Sequence, residues 1–209
     1  MTNDIFTKKT PLVLAVGAAL SLGVQTAWAE DGEDTPKDPY KLTIGSGEGQ
    51  LKSEISEGTV TIPGDFTGKW TADEEPGAVA WEDGDDINIK AGSDETDPKT
   101  IKISGGTLSI TNAAGSVQFN EGITSIDITS GEFSNASDLY LVSANLNVSG
   151  GSFSNARGAT ITIGQDRDGK APPSMVDVHA VTVSGTAGFV NNGKIVLADG
   201  VAFNVEFKS

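Results

Sequence analysis

Beyond residue 39, apolar residues recur mainly at every second position, in short bursts rather than long runs. Tyr40, Leu42 and Ile44 alternate with other residues, as do Val60 and Ile62, and Ile87 and Ile89. A period of two places one side chain of each pair on either face of a pleated strand. Pro63-Gly64, Pro76-Gly77 and Asp83-Gly84 are turn signals between these bursts. No window outside the N-terminal leader carries a 3.6-residue apolar period, so the pattern predicts an all-β chain of short strands.

The second half repeats itself. Ile101-Lys-Ile103, Ile126-Asp-Ile128, Leu146-Asn-Val148 and Val181-Thr-Val183 each lead into Ser/Thr and Gly and then a large apolar residue, at Leu108, Phe133, Phe153 and Phe189. Phe133, Phe153 and Phe189 are each followed two residues later by an asparagine: Asn135, Asn155 and Asn191. Asn112 holds the looser counterpart. A second alternating step follows each time: Val117-Gln-Phe119, Leu139-Tyr-Leu141, Ile161-Thr-Ile163 and Ile195-Val-Leu197. The longest interval contains Gln165 to Met175, with Asp166-Arg-Asp-Gly169 and Pro172-Pro173, and reads as a loop insertion.

A repeat of some 20 residues with two or three short strands is the signature of a solenoid. In a parallel β-helix each coil pairs with the previous one about 4.8 Å away, and equivalent apolar residues stack into one core. Lys102, Asp127, Asn147 and Thr182 then share one outward position. Gly105, Gly131, Gly150 and Gly185 are expected to supply positive φ at the corners. Asn112, Asn135, Asn155 and Asn191 are expected to bond to turn backbone or to the asparagine one coil away. Gly and Asn at this spacing also mark hairpin turns in an antiparallel sandwich, but a sandwich does not require near-identical segments. The expected fold is all-β: a short right-handed parallel β-helix with an irregular acidic N-terminal segment. About five coils fit from Ile101 onward. The C-terminal Val201–Phe207 reads as a strand with an apolar end that needs covering.

Residues 1–29 read as a signal peptide. Lys8 and Lys9 precede the apolar run Leu12–Leu20, and Ala27-Trp-Ala29 is a small-x-small cleavage site. The run is too short for a membrane-spanning helix, and no later segment is apolar enough to be one. Residues 30–39 form a charged leader expected to be disordered. Residues 40–97 are an acidic β-rich cap or early coils, and residues 98–209 hold the β-helix repeats. The charge divides unequally: residues 30–97 hold 19 acidic and 5 basic side chains, residues 98–209 only 9 and 7. The formal net charge of -15 argues against nucleic acid as a partner. With no Cys, an exported domain has no disulfide and must rest on burial and backbone pairing.

The repeat Ile-x-Ser-Gly-Gly-x-Leu/Phe, then Phe-x-Asn, then Gly-x-Ile-x-Ile resembles the passenger regions of bacterial autotransporters and surface adhesins of the pertactin and haemagglutinin type. The resemblance covers about residues 98–209. It implies a Gram-negative exported protein at the cell surface, the outer membrane or in the medium, with the periplasm as the alternative compartment. It implies a structural or adhesive role, with a surface, a glycan or a protein as ligand. The family's C-terminal membrane barrel needs many strands of about 10 residues, and this chain leaves no room for one. The expectation is therefore one of three: the chain is part of a longer passenger, it is released to the periplasm or medium, or it associates with an outer-membrane carrier or with itself through the C-terminal coil.

Candidate chemistry is sparse. His179 is the only imidazole and has no Gly-x-Ser-x-Gly elbow beside it. The run Glu82-Asp83-Gly84-Asp85-Asp86 and the pair Asp166/Asp168 could serve acid/base work or hold calcium, but neither matches a calcium-loop spacing. Trp70 and Trp81 could stack on sugars or plug a small core. No catalytic, cofactor-binding or metal-ligating residue is assigned, no cofactor is expected, and the chain is not expected to be an enzyme. The alternative is a carbohydrate-binding or polysaccharide-cleaving β-helix using Asp83, Asp166 and Trp81.

Overall fold

The structure, a computed structural model, describes residues 40–45, 50–62, 67–69, 78–80, 84–92, 99–111, 114–120, 122–172 and 180–206. The signal segment and leader lie outside these, as do Trp70, Trp81, Glu82, Asp83, Asn112, His179 and Phe207. No helix occurs among the described residues, and none there is long and apolar enough to cross a membrane.

The alternating segments are strands, and they wind as a coil with three strands per turn. The first coil is β1 (Tyr40–Thr43), β2 (Glu54–Ile55) and β3 (Thr59–Ile62). The chain then leaves the coil to form an antiparallel ribbon of β4 (Thr67–Lys69) and β5 (Ala78–Ala80). It returns as β6 (Ile87–Lys90), β7 (Thr100–Ile103) and β8 (Thr107–Ile110). The third and fourth coils are β9 (Ser116–Phe119), β10 (Ser125–Ile128) and β11 (Glu132–Asn135), then β12 (Asp138–Leu141), β13 (Asn145–Val148) and β14 (Ser152–Asn155). The fifth is β15 (Thr160–Ile163), β16 (Ala180–Ser184) and β17 (Gly188–Asn191), and β18 (Lys194–Leu197) and β19 (Ala202–Glu206) begin a sixth.

Every third strand joins the same sheet. The first sheet runs β1-β6-β9-β12-β15-β18, the second β2-β7-β10-β13-β16-β19 and the third β3-β8-β11-β14-β17. All pairings within these three sheets are parallel. The chain is a parallel β-helix. The acidic N-terminal segment contributes the whole first coil and β6. Its irregularity among the described residues is the β4–β5 ribbon, which pairs apart from the three parallel sheets.

The repeat sets the register. Ile101 pairs with Ile126, Ile126 with Leu146, and Leu146 with Val181. Phe133 pairs with Phe153, and Phe153 with Phe189. Their rings form a spine with centroid separations of 5.3 Å and 5.1 Å, continued at 5.5 Å from Phe189 to Phe203 across the interior. Phe119, Phe133 and Phe153 are fully buried with the surrounding Ile, Leu and Val. Burying each such side chain stabilises the fold by about 1.5–3 kcal/mol, and each ring pair adds about 0.5–1.5 kcal/mol.

The outward position next to this core carries Glu54, Lys102, Asp127, Asn147 and Thr182 in register. Neighbours in that row complement each other. Lys102 lies 3.2 Å from Glu54, and Asn147 Nδ2 donates to Asp127 Oδ1 at 2.8 Å. The Ser104 hydroxyl, which donates to Glu54, and Lys102 together hold the Glu54 carboxyl below its usual range.

The asparagine column is buried at Asn135 and Asn155 and reaches the surface at Asn191. Asn135 Nδ2 donates to Asn155 Oδ1 at 2.9 Å, and Asn155 Nδ2 to Asn191 Oδ1 at 2.8 Å. Asn135 Oδ1 also accepts from the backbone N–H of Ser137, two residues on. Asn135 and Asn155 are buried, so each amide both satisfies its own polar atoms and closes a corner.

The glycines divide into two kinds. Gly131 and Gly185 have φ of +112° and +69°, as the corner argument expects. Gly105 and Gly150 do not have positive φ, which corrects the expectation for them. They are required by crowding: a Cβ at Gly105 would lie 2.4 Å from the Ser56 carbonyl oxygen, and one at Gly150 2.2 Å from that of Thr129. The corner between the second and third sheets stacks so closely that its backbone fills the space a side chain would need.

The two ends of the core differ. Leu42, Ile44, Leu51, Ile55 and Ile62 of the first coil are buried. At the other end Leu197, Phe203 and Val205 are 38–46% exposed, although their register partners Ile163, Val181 and Val183 point into the core.

Candidate functional site

The outer face of the first sheet departs from the simple apolar-in, polar-out pattern. Asn88, Gln118, Tyr140 and Thr162 stack there in register on β6, β9, β12 and β15. Gln118 and Thr162 are nevertheless buried, as is Ser116 one row away. The cover comes from the insertion after β15. The segment 164–172 lies against coils already formed at Arg167, while Asp168, Gly169, Lys170 and Ala171 are exposed.

Two contacts, both from Arg167, hold this strap to the coils. The backbone N–H of Arg167 donates to Gln118 Oε1 at 2.8 Å. The Arg167 guanidinium lies 3.4 Å from Asp86 Oδ2, and Asp86 Oδ1 accepts from the Ser116 hydroxyl at 2.6 Å and its backbone N–H at 3.1 Å. The strap's own turn is closed by Asp166, whose Oδ1 accepts from the Lys170 N–H at 2.7 Å and whose carbonyl accepts from the Gly169 N–H at 3.0 Å. Gly169 adopts φ +77° in this turn.

Beside the strap is a cavity of about 300 Å³ lined by Asn88, Lys90, Gln118, Asn120, Val142 and Asp166. Gln118 Nε2 donates to Asn120 Oδ1 within it. Three buried polar atoms nearby have no hydrogen-bond partner in the chain: Asn88 Oδ1, Arg167 Nε and Arg167 Nη2. A folded chain rarely leaves such atoms unpaired, since each costs about 1–3 kcal/mol. The Tyr140 hydroxyl is pushed above its ordinary pKa, first by burial and then by Asp138, with Asp86 adding a little and Arg167 opposing.

The candidate residues of the sequence are placed unevenly. Asp86 pairs with Arg167 at this site, and Asp166 lines the cavity beside it. Asp168 points to Lys170 at 3.8 Å instead. Among the described residues no cluster of three or more His, Asp or Glu could hold a metal ion. Asn88, Gln118, Asn120 and Lys90 are the residues that the sequence did not mark. Their only signal is that they follow the alternation, Asn88 and Lys90 beside Ile87 and Ile89, Gln118 and Asn120 beside Val117 and Phe119.

Searches for a matching family model, a curated relative and a similar solved structure each gave no match.

Proposed function

We propose that this chain is an exported structural or adhesive surface protein, similar in build to an autotransporter passenger, that presents loops on a rigid β-helix. The observation that supports this reading is the division of labour in the fold. The coils pair in register on three sheets, while the insertion at 164–172 is pinned to the outside of the stack by Arg167. Such a stack keeps its shape through backbone hydrogen bonds and a continuous apolar core, so a surface held on it meets a partner with little entropy to lose. The chain acts at the cell surface, the outer membrane or in the medium, held by a carrier or by self-association through its last coil. It works by contact and not by catalysis.

The experiment is expression of the full chain, with a C-terminal epitope tag, in a Gram-negative host. Mass spectrometry is expected to show cleavage after Ala29. Protease added to intact cells should remove the tag, or the tag should appear in the medium. Cells should adhere to immobilised glycans or matrix proteins, and deletion of residues 165–171 should reduce adhesion. An uncleaved chain retained in the cytoplasm would contradict export, and adhesion equal to that of cells lacking the chain would contradict the role.

A further inference from the structure

We propose that the cavity beside the strap is a binding site for a neutral polyhydroxylated ligand, one or two sugar units in size. Three features of the site select that chemistry. Its volume of about 300 Å³ falls at the small end of the range for small-molecule sites. Its polar lining is mostly amide: Asn88, Gln118 and Asn120 come from two adjacent coils of one sheet. Each amide offers a donor and an acceptor a few ångströms apart, which is the pairing that vicinal hydroxyls present. Its charges balance, because the lining holds one Lys90 and one Asp166, and Asp86 pairs with Arg167. An anionic ligand would meet Asp166, and a cationic one Lys90.

An unpaired atom gives the site a reason to bind. Asn88 Oδ1 is buried without a partner. A hydroxyl entering the cavity supplies one after rotation about the Asn88 Cβ–Cγ bond. Asn120, which lines the same cavity and is half-buried, keeps its side-chain N–H groups for a second oxygen. Gln118 is held in place from both sides: its Oε1 accepts from the strap and its Nε2 donates to Asn120. The site is thus preformed, and β15's insertion serves to build its wall. A zwitterionic ligand such as a short peptide could also pair with Lys90 and Asp166. Lys90 is exposed, however, and a solvated charge contributes little to affinity, so the amides are the recognition surface.

This inference rests on the reading of the chain as a display scaffold, but its test needs no cell. Saturation-transfer NMR is run on the purified full chain with D-galactose, D-mannose, N-acetyl-D-glucosamine, lactose and maltose, and with alanyl-alanine as the zwitterionic probe. At least one sugar is expected to bind in the millimolar range while alanyl-alanine gives no signal. Asn120→Ala should weaken that sugar about tenfold, the equivalent of one hydrogen bond. Asn88→Ala should weaken it by as much. Asn120 is only half-buried and outside the apolar core, so its variant tests the site even where Asn88→Ala disturbs folding. Circular dichroism and a thermal transition establish that each chain is folded. The proposal is overturned if none of the five sugars binds the folded chain, if binding is unchanged in the folded Asn120→Ala variant, or if alanyl-alanine binds in place of the sugars. None of those outcomes bears on export or adhesion, and a chain that stays in the cytoplasm leaves this test intact.

Discussion

Gly150 and Gly158 show how one residue type answers two different physical demands. Gly158 has φ +88° and open space where a Cβ would go, whereas Gly150 lacks positive φ and would drive a Cβ to 2.2 Å from the Thr129 carbonyl oxygen. Gly150→Ala must therefore push two coils apart, and a cost of about 2 kcal/mol is expected from overpacking. Gly158→Ala pays only for a left-handed backbone, about 1 kcal/mol. Urea unfolding of the two variants should rank them in that order, and the reverse order would contradict the close stacking of this corner. Tyr140 provides a second test at this scale. Its pKa is raised in the folded state, so the folded chain keeps its proton after the unfolded chain has lost it. The resulting stability is present below the unfolded value near about 10 and is lost as pH rises through the folded value. Stability should fall more steeply above that pH in the native chain than in Tyr140→Phe, and equal slopes would show that Tyr140 is not shifted.

At the level of single elements the sequence is most informative where the repeat is strongest. Ile101, Ile126, Leu146 and Val181 announce the second sheet because alternation and spacing agree. β2 is harder to read: it is two residues long, Glu54–Ile55, and no alternation can show in so short a piece. The β4–β5 ribbon is likewise invisible, since Thr67–Lys69 and Ala78–Ala80 are three residues each and carry no period. The insertion after β15 is legible as a loop, but not as a strap, because nothing local in Asp166-Arg-Asp-Gly169 records that its partners are Gln118 and Asp86, 49 and some 80 residues earlier. For the same reason the amides of the pocket were not marked: they become neighbours only through the coil register. The strap makes its own prediction. The Arg167–Asp86 pair is partly exposed, so Arg167→Ala should cost less than about 1 kcal/mol in global stability. Amide hydrogen exchange within 164–170 should nevertheless speed up, while β10 and β13 remain protected. Unchanged exchange in the strap would show that Arg167 does not hold it down.

For the whole molecule, one apolar column repeated on three sheets carries the stability of a chain that has no cysteine and therefore no disulfide. The stacking continues through Phe133, Phe153, Phe189 and Phe203 and leaves Phe203 and Val205 partly open at the last described coil. That exposed end is a surface consistent with the carrier or self-association invoked above. Everything else, from the asparagine column to the strapped pocket, depends on coils pairing in parallel and in register. The absence of native cysteine makes this directly measurable. Asp127 and Asn147 are register partners on β10 and β13, and neighbouring strands lie about 4.8 Å apart, within the Cα separation a disulfide spans. The double variant Asp127→Cys/Asn147→Cys is expected to lock quantitatively on mild oxidation of the folded chain, as resolved by peptide mass spectrometry. Asp127→Cys/Phe133→Cys, which an antiparallel hairpin would bring together, should stay reduced because Asp127 faces outward and Phe133 inward. A locked 127–133 pair with an open 127–147 pair would contradict the coil.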